Sequence, residues 1–266
     1  MKKLFNIIYF LFICKLCFCQ VKVYRNIKIE DGFSDFKIDH YGFMYQIKND
    51  NLLKMSADGN VTHSYSNKLY GDIFQLDVSN PLRPLLFYRD QGLLITLDNT
   101  LSEQESVISL NEIGLYQAKC IANSNFDNGI WLYDIDMNEI IKIDNFSNII
   151  YRSGNLSVIF SSMKSPVVRL YEKNRKLYAV TEEKIFVLDQ FGALIKIINT
   201  SANKGLIISE NNLLCYDGKN LKLYDDLQFK VDTIQLKTEF IKVQGYTEKF
   251  IGLSKNLKDV YFLKIE

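Results

Sequence analysis

A strand that runs into a tight turn recurs along this chain at near-constant spacing, and that rhythm limits the possible folds more than any other feature. The clearest copy is Lys184 to Gly192 (KIFVLDQFG), and four others read Leu52 to Gly59, Leu93 to Thr100, Glu139 to Ser147 and Asn220 to Leu227. Matching Leu188 with Met55, Leu97, Ile143 and Tyr224 gives intervals of 42, 46, 45 and 36 residues, a mean near 42. A period of about 40 to 45 residues is that of a four-stranded propeller blade and exceeds that of leucine-rich or ankyrin repeats.

Alternating apolar runs and Gly, Asn and Asp punctuation divide the chain into blades. Blade one takes Phe36 to Asp39, Phe43 to Lys48, Leu52 to Ser56 and Val61 to Tyr65. Blade two takes Phe74 to Val78, Leu85 to Arg89, Leu93 to Leu97 and Ser106 to Leu110, with Pro81 and Pro84 marking a turn because proline cannot donate to a ladder. Blade three takes Ala118 to Ala122, Gly129 to Asp134, Glu139 to Ile143 and Ile149 to Arg152. Blade four takes Val167 to Glu172, Lys176 to Thr181, Lys184 to Leu188 and Leu194 to Ile198. Blade five takes Leu206 to Ser209, Leu213 to Tyr216, Leu221 to Tyr224 and Lys230 to Ile234. The last repeat offers only Phe240 to Gln244, Lys249 to Leu253 and Val260 to Ile265, while Gln20 to Glu30 is a spare strand before the first blade. The expected fold is therefore an all-β, six-bladed β-propeller. Its N-terminal strand pairs with the C-terminal blade and closes the ring, removing an open sheet edge. Sixteen Tyr and eighteen Phe against three Pro agree with a strand-rich chain.

Residues 1–19 read as a signal peptide and 20–266 as the single propeller domain. Met1-Lys2-Lys3 is a positive n-region, Leu4 to Ile13 is an apolar run too short to span a bilayer, and Cys17-Phe18-Cys19 resembles a cleavage site before Gln20. This predicts export across an inner membrane to the periplasm, and the last repeat running to the C-terminus favours retention there. The alternative is a lipoprotein anchored through Cys19, against which Phe18 is bulky for such a signal. Cys120 and Cys215 lie in different blades and are expected to be buried thiols, not a disulfide.

Thirty-two basic against thirty-one acidic residues leave no electrostatic footprint for nucleic acid. The acids at Asp58-Gly59, Asp98-Asn99, Asp144-Asn145 and Asp225-Asp226, with Gln190-Phe191-Gly192, fit tight turns whose side chains satisfy nearby amides. The phrases GIWLYDIDMNEIIKID (Gly129 to Asp144) and KLYAVTEEKIFVLDQFGALIKII (Lys176 to Ile198) resemble the repeats of NHL-type and sensor-type six-bladed propellers. Asp77 to Leu101 further resembles small secreted propellers of Bacteroidota envelopes. The resemblance implies an envelope scaffold, such as an accessory of an outer-membrane secretion machine, and carries no functional residue with it.

The chemistry available is sparse. Only His40 and His63 are present, with no Cys-x-x-Cys, nucleophile elbow, phosphate loop or dinucleotide fingerprint. Propeller lactonases and related hydrolases bind calcium at the channel through acids and amides of the innermost strands. The comparable positions here are Asp39, Asp77, Asn123, Glu172, Glu210 and Gln244, for which turn capping is the plainer explanation. Trp131, in an alternating strand, reads as core between blades. The linker Ser153 to Pro166 carries Val158, Ile159, Phe160 and Met163 where a solvated loop would be polar. It is either a docking segment or a piece tucked onto the core. Tyr70 and Tyr116, on neighbouring connections, suit the same rim. The sequence thus points to a monomeric, cofactor-free propeller that binds another envelope protein, with a calcium-dependent hydrolase as the alternative.

Overall fold

Each repeat folds as a four-stranded antiparallel sheet. The computed structural model describes residues 21–28, 33–104, 106–228, 230–245 and 249–265, and the expected leader, with Cys19, lies outside them. Six such sheets form a six-bladed β-propeller, five with strands in consecutive order and the sixth with Val21–Lys28 joined to the last strand. The innermost strands are Asp35–Ile38, Gln75–Asp77, Ala118–Asn123, Arg169–Lys173, Gly205–Ile208 and Phe240–Gly245.

The core is distributed between sheets. A strand exposes alternate side chains to its two faces, and both faces of each blade are covered by neighbours, so the buried apolar residues fall into six clusters, one at each seam. At the seam of blades five and six the backbones nearly touch: a Cβ on Gly205 would lie 2.3 Å from the Val243 carbonyl oxygen, so only glycine fits. Cys120 and Cys215 are buried free thiols, and burial pushes both up to about 12.

The turns before the outermost strands are built by a repeated aspartate. Asp98 Oδ1 accepts from the Thr100 and Ser102 amides at 2.8 and 2.9 Å. Asp144 accepts from Phe146 and Asn148, Asp189 from Phe191 and Ala193, and Asp225 from Leu227 and Gln228. The first blade departs from this pattern: Ser56 opens its turn, and the exposed Asp58 sits within it, two residues on. Gly192 follows in the left-handed region at φ +86, where a Cβ would also strike the Tyr151 ring of blade three.

The N-terminal strand closes the ring as the repeat count requires. It pairs antiparallel with Asp259–Ile265, from Val21 opposite Ile265 to Lys28 opposite Asp259, with an irregularity between Val23 and Arg25. Most of its side chains are solvent-facing, so its contribution is the ladder itself plus Ile27 and Val21 against two seam clusters. Removing residues 20–30 exposes a seven-residue strand edge. Calorimetry should then show a fall in Tm of at least about 5 °C, and light scattering should show self-association. An unchanged Tm and a monodisperse monomer would mean that the strand is dispensable for closure.

Candidate functional site

Each innermost strand begins at the face where the connection from the preceding blade arrives and runs through to the opposite face. A cavity of about 300 Å³ follows these strands along the propeller axis. Its wall includes Asp39, Asp77, Glu172 and Gln244, but neither Asn123 nor the exposed Glu210.

The polar side chains at the strand ends are engaged with backbone, chiefly across seams. Buried Asp39 accepts from the amides of Tyr41 and Phe43 at 2.9 and 3.0 Å and from the Tyr45 hydroxyl at 3.0 Å. Burial and the Asp39 charge push the Tyr45 hydroxyl up. Asp77 accepts from Ser79 N at 2.7 Å and, across the seam, from Asn123 N at 2.9 Å. Asn123 is buried and paired with Arg83 in both directions, accepting from Nη1 at 3.0 Å and donating to the carbonyl at 3.2 Å. Glu172 accepts from Asn125 N at 2.9 Å, and burial pushes its carboxyl up. Gln244 donates to the Phe36 carbonyl of blade one. Gln75 shows the same device in full, since its amide both donates to the Ile121 carbonyl at 2.7 Å and accepts from the Ile121 amide at 3.1 Å. Among the described residues no group of three or more His, Cys, Asp or Glu stands together as a metal shell.

Nearer the starts of the innermost strands the charge reverses. The buried Lys242 of blade six contacts the Asp35 carboxylate of blade one, Lys37 Nζ stands 3.9 Å from the same carboxylate, and Arg169 Nε donates to the Asn203 carbonyl at 3.0 Å. Burial pushes the Lys242 ammonium down to about 7, with the Lys37 and Arg169 charges adding to the fall and Asp35 opposing it. These cations were not among the sequence-derived candidates. The available signal was a lysine set within an apolar strand, Phe36-Lys37-Ile38 and Ile241-Lys242-Val243.

The connection face carries the remaining candidates. The linker after blade three makes one helical turn, Leu156–Ile159, capped by Asn155, whose side chain accepts from Ser157 N. Leu156 and Met163 are buried and Phe160 stacks on Phe186 at 5.2 Å, so these three face the core. Val158 and Ile159 face outward, 82% and 51% exposed. Tyr70 lies edge-on to Tyr88 at 5.6 Å and is half-buried, whereas Tyr116 is 69% exposed. Leu69, beside Tyr70 and absent from the sequence-derived set, is 88% exposed. The turn Ile135 to Asn138 lies on the same face, tied to the linker by the Leu156 amide donating to Asn138 O at 2.8 Å, and exposes Met137.

No protein-family profile and no curated protein matches the chain. Solved structures do. Virginiamycin B lyase from Staphylococcus aureus aligns with a TM-score of 0.64 at 11% identity, covering 93% of this chain and 100% of that one. The WD40 domain of Neurospora crassa Pan2 aligns at 0.61 and 10% identity, covering 90% and 80%. A chain of the Mitotic Checkpoint Complex aligns at 0.61 and 11%, covering 87% and 74%. At such identities the likeness is one of fold.

Proposed function

We propose that this propeller is a non-catalytic protein-binding scaffold, an accessory subunit of a cell-envelope complex that meets its partner through the connection face of blades one to four. One observation carries the reading: three successive connections each project a large apolar side chain into solvent, Leu69, Tyr116 and Val158, joined by Ile159 on the last of them and by Met137 on the adjoining turn of blade three. An exposed apolar patch of this kind on a rigid ring suits an interface. The carboxylates that a calcium-dependent hydrolase would use are held by seam and turn amides instead. The presence of complex subunits among propellers of this shape is in keeping with the proposal. The leader-like segment 1–19 and the resemblance to NHL-type and secreted Bacteroidota propellers support placement in the periplasm, with an outer-membrane secretion complex as the assembly.

The test is co-purification of a tagged chain, exported by its own leader, from an envelope fraction. The triple variant Leu69→Asp, Tyr116→Asp, Val158→Asp should lose a specific partner by about tenfold or more while keeping its Tm, because anchors at an interface centre each contribute over about 1.4 kcal/mol. The control pair Phe146→Asp, Phe191→Asp, on turns of the opposite face, should leave recovery intact. Equal recovery by the triple variant, or no specific partner for the native chain, overturns the proposal.

A further inference from the structure

The axial cavity is polarised along its length. Toward the strand starts Lys37 and Arg169 line the wall, and the buried Lys242–Asp35 ion pair lies beside Lys37 outside the lining. Toward the strand ends stand Asp39, Asp77 and Glu172 against Lys173, whose Nζ is already committed to the Ile208 carbonyl at 2.7 Å. Asp35 is taken up by Lys242, which leaves Lys37 with only a long ion pair and Arg169 with a single hydrogen bond through Nε. The two Nη atoms of Arg169 thus have no protein partner among the described residues, although the side chain lines the cavity. A guanidinium fixed at Nε and open at its fork is arranged to receive a planar or tetrahedral oxyanion. Between the charged ends the wall is neutral, with Leu170, Leu206 and Ile208 and the half-buried Tyr171. About 300 Å³ is at the small end of the range for ligand pockets.

We propose that the axial cavity is a binding site for a small organic oxyanion, a phosphate monoester or carboxylate, that also carries an ammonium group. Arg169 and Lys37 take the anion, and Asp77 and Glu172, while still accepting from the Asn123 and Asn125 amides, face the ammonium with their remaining lone pairs. Charges in a low-dielectric channel act strongly on a ligand that matches both ends. This site does not rest on the connection-face reading, and either can fail without the other.

Titration calorimetry of the exported chain with O-phosphoserine, L-glutamate, inorganic phosphate and ethanolamine separates the possibilities. O-phosphoserine or L-glutamate should bind the native chain, and whichever binds more tightly identifies the anion. Inorganic phosphate and ethanolamine should bind at least about tenfold more weakly, each matching one end only. Lys37→Met and Arg169→Met should each weaken binding about tenfold or more, the loss of one charge-assisted contact. Lys68→Met, on the outer surface, should leave it unchanged. Lys37→Met gives up only a long ion pair and so keeps the test decisive if Arg169→Met does not fold. Absence of binding by both zwitterions, or equal affinity in Lys37→Met, overturns the site. Inorganic phosphate binding as tightly as O-phosphoserine overturns the part assigned to the carboxylates.

Discussion

Replacing Trp131 by alanine is expected to destabilise the propeller by about 4 kcal/mol, lowering Tm by roughly 10 °C. The indole is 1% exposed and belongs to the cluster that joins blades three and four. Tyr151 meets it edge-on at 5.7 Å, and the buried Lys142 ammonium lies 4.7 Å above the ring while it bonds Asp127 at 2.6 Å. Truncation therefore removes a large packed volume, an aromatic pair and a cation–π contact together. Trp131→Phe keeps an aromatic face and much of the volume, so it should recover more than half of the loss. Scanning calorimetry checks both, since the chain has a single tryptophan and its fluorescence disappears with the substitution. A fall of less than about 3 °C for the alanine variant would show that the seam collapses onto the vacancy.

That seam illustrates how much of the architecture a reader of the sequence can see. The repeat of strand, aspartate turn and strand is local, and its physical cause is local too: an aspartate bonding amides two to four residues ahead is written within one turn. Six blades, the spare first strand and the core placement of Trp131 follow from that rhythm. Strand ends were less legible. The outer strand of blade two shrinks to Ile108–Ser109, because the preceding loop forms its own turn from Asp98 to Ser102, with Leu101 at φ 64 and a lone bridge from Leu97 to Glu103.

The interior of the channel was hidden for a different reason. Whether Asp77 is a free ligand or a tie to Asn123 depends on a backbone amide 46 residues away, and no local pattern encodes that. Lys37, Arg169 and Lys242 likewise converge from three separate blades. The linker, by contrast, carries its signal in the spacing of its apolar residues. Leu156, Phe160 and Met163 recur at helical spacing and all three turn inward, while Val158 and Ile159 between them turn out. Apolar content alone did not separate the two sets; periodicity does.

The buried pair at the basic end supplies the second large effect, and its sign depends on pH. Asp35→Asn should cost about 3 kcal/mol at pH 6, because breaking a buried ion pair strands the surviving charge. Burial raises the Asp35 carboxyl, yet the Lys242 and Lys37 charges and hydrogen bonds outweigh it and hold the group down at about 2. On the acid side its stabilisation is therefore present above the unfolded value of 3.8 and is lost as pH falls through about 2, outside the range compared. Lys242 runs the opposite way. Its folded pKa lies below the unfolded 10.5, so between about 7 and 10.5 the unfolded chain binds more protons and stability rises with pH. At pH 9 the folded variant sheds the Lys242 proton instead of burying an unpaired ammonium, and the loss should shrink to about 1 kcal/mol. Lys242→Met should cost less than Asp35→Asn at pH 6, since Asp35 keeps Lys37 at 3.9 Å and some access to water. Urea unfolding of the two variants at both pH values gives the four free energies needed. Equal losses for Asp35→Asn at pH 6 and pH 9 would mean that Lys242 holds its proton throughout, and that solvent or another group, not Asp35, keeps it charged at the seam of blades six and one.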